Sequence, residues 1–414
     1  MTATPQFDLV LRNLRLTDAS EPADIAIRDG RIAQIGSGLI CDAVSEEDCG
    51  GAFAFPGFVE THIHLDKAGI LGRCNICEGT LAEAVRETAR AKAAFTEDDV
   101  YARAERVLEK AIASGTTRMR TFVEVDPRAG LRSFEALKRL RANYAFAIDL
   151  EICAFAQEGL TNEPETAQLL KHALAHGADL VGGAPYVDPD PAGQIRMIFD
   201  LAERHGVAVD FHLDFDLDPA HTNLPAVIAE TVARGYQGRV SIGHVTNLSA
   251  MVPEDVLAIA RSLKAAGIAL TVLPATDMFL NGRAHDRLVP RGIAPAHVLA
   301  AEGVTVSIAT NNVLNPFTPF GDASLIRMAN FYANTAQISR DADIAATFDM
   351  VSAGAASLLG QEYALAVGAP ADIVLLDCSN ALEAVREIAR PIKGWKRGRK
   401  SFDNGRSRIL TPER

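Results

Sequence analysis

Val59-Glu60-Thr61-His62-Ile63-His64-Leu65-Asp66 places two histidines two positions apart, directly after the apolar run Ala52-Phe53-Ala54-Phe55-Pro56-Gly57-Phe58. Side chains on a strand alternate between faces, so His62 and His64 point the same way and their imidazoles can share one metal ion. An H-x-H alone is more often structural or solvent-facing than ligating, and its meaning depends on further ligands elsewhere in the chain. Two more histidines follow apolar runs: His212 closes Val207-Ala208-Val209-Asp210-Phe211, and His244 follows Val240-Ser241-Ile242-Gly243. Gln157 lies in Ala154-Phe155-Ala156-Gln157-Glu158-Gly159, and Asn311 and Asn312 close Ser307-Ile308-Ala309-Thr310. Histidines His172, His176, His205, His221, His285 and His297 have no such placement and read as ordinary surface or core residues.

The elements that must position these groups alternate. Short β-branched runs near residues 53–60, 117–124, 147–155, 179–183, 207–213, 239–243, 268–273 and 304–309 are separated by segments rich in Ala, Leu, Glu and Arg. That is the pattern of repeated βα units, and eight of them predict an α/β fold, a TIM (β/α)8 barrel. In such a barrel the active site lies at the C-terminal ends of the strands. His62 and His64 end the first strand, Gln157 the third, His212 the fifth, His244 the sixth and Asn311 the eighth. The long helical region from Leu81 to Ala113 is broken at Phe95-Thr96-Glu97-Asp98-Asp99, where Thr96 can cap a second helix with acidic residues in its first turn.

The chain ends read differently. Phe7–Asn13 and Asp24–Gly36 are alternating strands, the second folded back by a tight turn at Asp29-Gly30, and Gly368–Asp377 is a turn feeding another strand. These predict a small β-sandwich domain formed by both ends, residues 1–55 and 366–414, around a catalytic barrel at 56–365.

With 414 residues, 48% of them hydrophobic, the chain can bury a large core. A net charge of -12 argues against wrapping nucleic acid or lying on an anionic membrane, both of which need a basic surface. No apolar run reaches membrane-spanning length, and Met1–Asp8 lacks the pattern of a secretory leader, so a cytoplasmic location is expected. Six cysteines in so long a chain predict reduced thiols, and Cys74-Asn75-Ile76-Cys77 has no second pair to complete a metal site. The expected partner is a small-molecule substrate, with homo-oligomer formation left open.

Across nearly its whole length the chain resembles the amidohydrolase superfamily, and within it the cytosine deaminase-like branch that includes N-isopropylammelide isopropylaminohydrolase. The resemblance rests on Pro56-Gly57-Phe58-Val59-Glu60-Thr61-His62-Ile63-His64-Leu65-Asp66, Ala154–Gly159, Gly243-His244-Val245-Thr246, Arg291-Gly292-Ile293 and Asn315-Pro316-Phe317-Thr318-Pro319-Phe320-Gly321. It implies that His62, His64 and His212 bind one divalent metal ion, zinc or iron. It also implies that His244 orients or deprotonates the attacking water, and that Gln157 hydrogen-bonds a ring substrate. Three neutral imidazoles leave a coordination position open, and water bound there is acidified to near neutrality, chemistry suited to attack on an sp² ring carbon. The signature of the zinc deaminases that edit nucleic-acid bases, H-x-E with P-C-x-x-C, is absent.

Two positions depart from the resemblance. Where the family carries a glutamate three residues after the fifth-strand histidine, this chain has Phe215, and where it carries an aspartate at the end of strand eight, this chain has Asn311. Neither a phenyl ring nor a neutral amide replaces a carboxylate in proton transfer. The nearest carboxylates in sequence are Asp214, Asp216 and Asp66, with Asp214 the first choice for a catalytic role. Phe215 and Asn312 then fall among the substrate-binding residues. The leading reading is a metal-dependent hydrolase acting on a C–N bond of a small nitrogen heterocycle, by deamination, dealkylamination or ring opening. Its rivals are a cyclic or linear amide hydrolase, in which Asn311 would donate to an oxyanion, and a ligand-binding barrel that has lost turnover.

Overall fold

The computed structural model describes residues 6–16, 21–407 and 409–410. The first five residues, on which part of the leader and outer-domain expectations fall, lie outside them.

Among the described residues sixteen strands follow one another: β1 (Phe7–Leu14), β2 (Ala23–Arg28), β3 (Arg31–Gly36), β4 (Ala43–Asp48), β5 (Phe53–Phe55), β6 (Phe58–Ile63), β7 (Thr116–Glu124), β8 (Asp149–Ala156), β9 (Leu180–Gly183), β10 (Ala208–Leu213), β11 (Val240–His244), β12 (Ile268–Val272), β13 (Val306–Ile308), β14 (Ile373–Leu376), β15 (Pro391–Lys396) and β16 (Arg399–Asp403). Strands β6 to β13 form one eight-stranded sheet in sequential order, parallel at every neighbouring pair. It closes between its first and last members: the His64 amide donates to Asn311 O at 2.8 Å and the Asn311 amide to His62 O at 2.8 Å. The eight-stranded α/β barrel is therefore present as the alternation requires.

Two of the apolar stretches read as single strands resolve differently. The run 53–60 is split at Pro56-Gly57 into β5, which pairs with β14 outside the barrel, and β6 inside it. Gly57 permits the break: its φ is +96°, and a Cβ there would lie 2.3 Å from Thr117 Cγ2. Strand β13 is only three residues long, because Asn311 turns into the left-handed region at φ +65° just beyond it.

At the chain ends, β3-β2-β1-β4 and β16-β15-β14-β5 form two four-stranded sheets. Their inner faces share one apolar cluster that includes Leu11, Ile25 and Ile27 from the first sheet and Ile373, Leu375 and Trp395 from the second. This is the sandwich expected from both ends, with the β2–β3 hairpin turning at Asp29-Gly30. Lys396, 1% exposed, fixes it to the barrel: its Nζ donates to Asp372 Oδ2 at 2.8 Å, Asp149 Oδ2 at 2.6 Å and Thr117 O at 3.1 Å.

Outside the barrel wall, α1 (Leu81–Lys92) and α2 (Glu97–Ala113) are separated as the capping residues dictate, with Thr80 Oγ1 accepting from the Glu83 amide and Thr96 Oγ1 from the Asp99 amide. Among the described residues no helix is long and apolar enough to cross a membrane.

Candidate active site at the C-terminal end of the barrel

Strand β6 delivers His62 and His64, and β10 delivers His212, all three buried. Their Nε2 atoms converge: His212 Nε2 is 3.0 Å from that of His62 and 2.9 Å from that of His64. Burial, with smaller contributions from neighbouring cationic groups, holds each imidazole well below its usual pKa, so all three are neutral. The three Nδ1 atoms are buried without hydrogen-bond partners. Phe122 lies 4.1 Å from the His62 ring and Phe155 4.1 Å from the His212 ring, centroid to centroid, so apolar packing holds the imidazoles in place. Gly243 is required beside them, because a Cβ there would approach His62 Cε1 to 2.9 Å. Three neutral nitrogens aimed at one point, within the spacing a tetrahedral metal site imposes, fit a divalent ion.

A narrow cavity opens onto this floor; its lining includes His64, His212, His244, Gln157, Phe215, Asn311 and Asn312, together with Lys67, Tyr186 and Phe317. The structure thus brings together the predicted metal ligands, Gln157, His244, Phe215 and both asparagines. Asn311 Oδ1 is buried without a partner, whereas Asn312 Oδ1 accepts from Asn315 Nδ2 at 2.7 Å.

The candidate carboxylates are placed elsewhere. Asp214 is buried, but its oxygens accept from Thr222 Oγ1 at 2.8 Å and from the Asn223 amide and Nδ2, both at 2.9 Å. It ties a loop and is not among the residues that line the cavity. Asp216 is half-exposed beside His221. Asp66 is buried behind the site, accepting from the amides of Lys67 and Glu124 and lying 4.0 Å from His64 Nδ1.

Among the groups that sequence reasoning missed, two are charged side chains at the site. Asp277, in the first turn of the helix Pro274–Leu280 after β12, accepts at 2.6 Å from His244 Nδ1 and is fully buried. It lies a few residues past the end of the seventh predicted strand, so extending the strand-end test into the following helix would have found it. Lys67, 2% exposed, donates to Glu124 Oε1 at 2.6 Å and to Gln157 Oε1 at 3.3 Å and sits 4.3 Å over the Phe317 ring. Glu124 is in turn held by Lys92, whose Nζ also contacts Asp126 and Glu158. Glu124, Asp126 and Glu158 lie close enough together to hold a metal ion, but the Lys92 ammonium already sits among them. Cys74 and Cys77 are unpaired and belong to neither group.

The sequence pattern of the amidohydrolase family matches residues 75–402. The chain is 31% identical over 363 residues to a pterin deaminase of Rhizobium rhizogenes, covering 85% of this chain and 82% of that protein. To an N-isopropylammelide isopropyl amidohydrolase of Pseudomonas sp. it is 26% identical, covering 95% of this chain and 96% of the relative. Among solved structures, 5-methylcytosine deaminase from Klebsiella pneumoniae with 5-fluorocytosine superposes with a TM-score of 0.92 at 30% identity, covering 97% of this chain and 99% of that one.

Proposed function

The chain belongs to the amidohydrolase family, and on that premise we propose that it is a metal-dependent hydrolase cleaving a C–N bond of a small nitrogen heterocycle. The observation that carries this reading is the convergence of three buried, neutral imidazole nitrogens at the floor of a cavity that His244 and Gln157 also line. One divalent ion, zinc or iron, held by His62, His64 and His212 would supply an activated water when bound. His244 takes the proton from the attacking water. Gln157 orients the ring, Phe215 and Phe317 supply flat apolar walls, and Asn311 and Asn312 present amides to the substrate. Asp214, by fixing the loop that begins beside it, aims Phe215 edge-on at His244, with ring centroids 4.7 Å apart. Six unpaired cysteines support a reducing, cytoplasmic setting for a small-molecule enzyme.

Metal analysis combined with hydrolysis of a panel of amino- and alkylamino-substituted pyrimidines, triazines and pterins tests the proposal. About one ion per chain and release of ammonia or an alkylamine from at least one ring is the expected result. Metal without turnover would favour a ligand-binding barrel, and turnover confined to cyclic amides would favour the amide-hydrolase alternative.

Gln157→Ala should weaken the specificity constant by about tenfold, the order expected when one or two neutral hydrogen bonds are lost, and leave metal content unchanged. An unchanged specificity constant would remove Gln157 from substrate recognition. Cytosine itself should be a poor substrate, because Phe215 and Asn311 stand where proton-handling acids are expected. General acid–base help contributes roughly 10²- to 10⁴-fold, so ammonia release from cytosine should fall far below about one per second. A rate at or above that value would show that the two departures do not matter.

A further inference from the structure

We propose that Asp277 is the positioning residue that holds His244 as the Nδ1–H tautomer and leaves its Nε2 free to receive a proton in the cavity. The inference rests on the hydrolase reading above and concerns how protons move where, among the described residues, no carboxylate lines the cavity.

Two carboxylates stand one hydrogen bond behind lining groups: Glu124 behind Lys67, and Asp277 behind His244. An ammonium has no acceptor, so Lys67 cannot take a proton from water. The imidazole of His244 can. Its Nδ1 lies 2.6 Å from Asp277 Oδ1; burial raises the Asp277 carboxyl while the facing imidazole and the Leu273 amide oppose that rise, and as a carboxylate, acceptor-only, it places the ring hydrogen on Nδ1. Among the described residues Nε2 makes no hydrogen bond, and the ring faces the cavity that His64 and His212 share.

Both partners are held before any substrate arrives. Asp277 is fully buried, with His244 as its side-chain hydrogen-bond partner. Its second oxygen accepts from the Leu273 amide at 3.2 Å, and its backbone amide donates to Leu273 O at 2.9 Å. His244 and Val245 are consecutive non-glycine residues in the left-handed region, at φ +73° and +49°. Backbone of this kind persists where the surroundings over-determine it, and here it turns the imidazole from strand β11 toward the cavity. Phe215 packs on the ring in a T-shaped arrangement, at an interplanar angle of 87°.

The step balances with one water. Its oxygen bonds to the ring carbon, and one of its protons passes to His244 Nε2, forming an imidazolium whose charge faces the Asp277 carboxylate. That proton then goes to the departing nitrogen, which leaves with the electron pair of the broken C–N bond.

In Asp277→Asn the amide can present its NH₂ to Nδ1, which puts the ring hydrogen on Nε2 and blocks acceptance there. The expected result in the zinc-loaded, full-length protein is a fall in kcat of about 100-fold or more, with KM within about twofold and zinc content unchanged. The second readout is independent of turnover: ¹⁵N NMR of histidine-labelled, zinc-loaded wild type, with His244 assigned by its loss in His244→Gln. A proton on Nδ1 in the wild type, shifted to Nε2 in Asp277→Asn, supports the proposal. A wild-type His244 protonated on Nε2, or an Asp277→Asn enzyme with undiminished kcat, would overturn it. Should the variant fail to fold, the wild-type tautomer still decides. A wild type that binds zinc and hydrolyses nothing would defeat the hydrolase reading, while the tautomer would still report on the pair.

Discussion

The His62→Ala/His64→Ala double variant is expected to bind no metal where the wild type binds about one ion per chain, and to lose about 10³-fold or more in turnover. Both side chains come from β6, their Nε2 atoms lie 2.9–3.0 Å from that of His212, and removing them leaves a single imidazole at the site. One neutral imidazole does not hold a divalent ion against water. The backbone of β6 continues to pair with β7, and His62 O and the His64 amide still bond Asn311, so the barrel should survive the truncation. Metal content by elemental analysis and far-UV circular dichroism together check the result. Full metal occupancy in a folded double variant would place the ion elsewhere.

Lys92→Met is expected to destabilise the fold by about 3–5 kcal/mol at neutral pH, the range for removing one member of a buried ion cluster. Lys92 is 1% exposed and its Nζ contacts Glu124 at 2.8 Å together with Asp126 and Glu158. Methionine fills most of the same volume but leaves those carboxylates with Lys67 inside and Arg128 at the edge. Burial alone would raise the Glu124 carboxyl, but the charges of Lys67 and Lys92 outweigh it and bring it down to about 2. With its folded pKa below the unfolded value near 4.5, Glu124 contributes stability that is present above about pH 4.5 and lost as pH falls toward 2. Without Lys92 only Lys67 still opposes burial at Glu124, so the carboxyl rises, and protonating the cluster costs the variant less than the wild type. The gap between wild type and Lys92→Met should therefore be widest at pH 7 and narrow on acidification. Urea denaturation at pH 7 and pH 4 measures it, and an equal gap at both would refute the charge argument.

Much of this site could be read from residue order because barrel geometry sends the end of each strand to one face. His62, His64, Gln157, His212, His244 and Asn311 all follow apolar runs, and all six reach the site. What escaped were partners defined by space. Lys67 follows directly on the H-x-H segment and reads as a surface lysine until Glu124 of β7 and Lys92 of α1 are folded against it. Asp214 shows the converse: it is two residues from His212, yet its φ of +50° turns it toward Thr222 and Asn223. Proximity along the chain favoured Asp214, whereas Asp277, 33 residues from His244, makes the contact. The split of residues 53–60 between two sheets was likewise hidden, since β5 and the first two residues of β6, Phe58 and Val59, are equally apolar and only the Pro56-Gly57 break separates them.

The seam that closes the barrel runs through the same residues that build its floor. Asn311 bonds the backbone of His62 and His64, and these histidines meet His212 across some 150 residues of chain. The three imidazoles therefore gather only after the first and fifth strands are aligned, and the rim around them is complete only when the last strand docks against the first. Contacts so distant in sequence are among the slowest to form during folding. A chain emerging from synthesis would present His62 and His64 long before their third partner, and capture of the ion should coincide with ring closure late in folding, as protection of the His64 and Asn311 amides from hydrogen exchange.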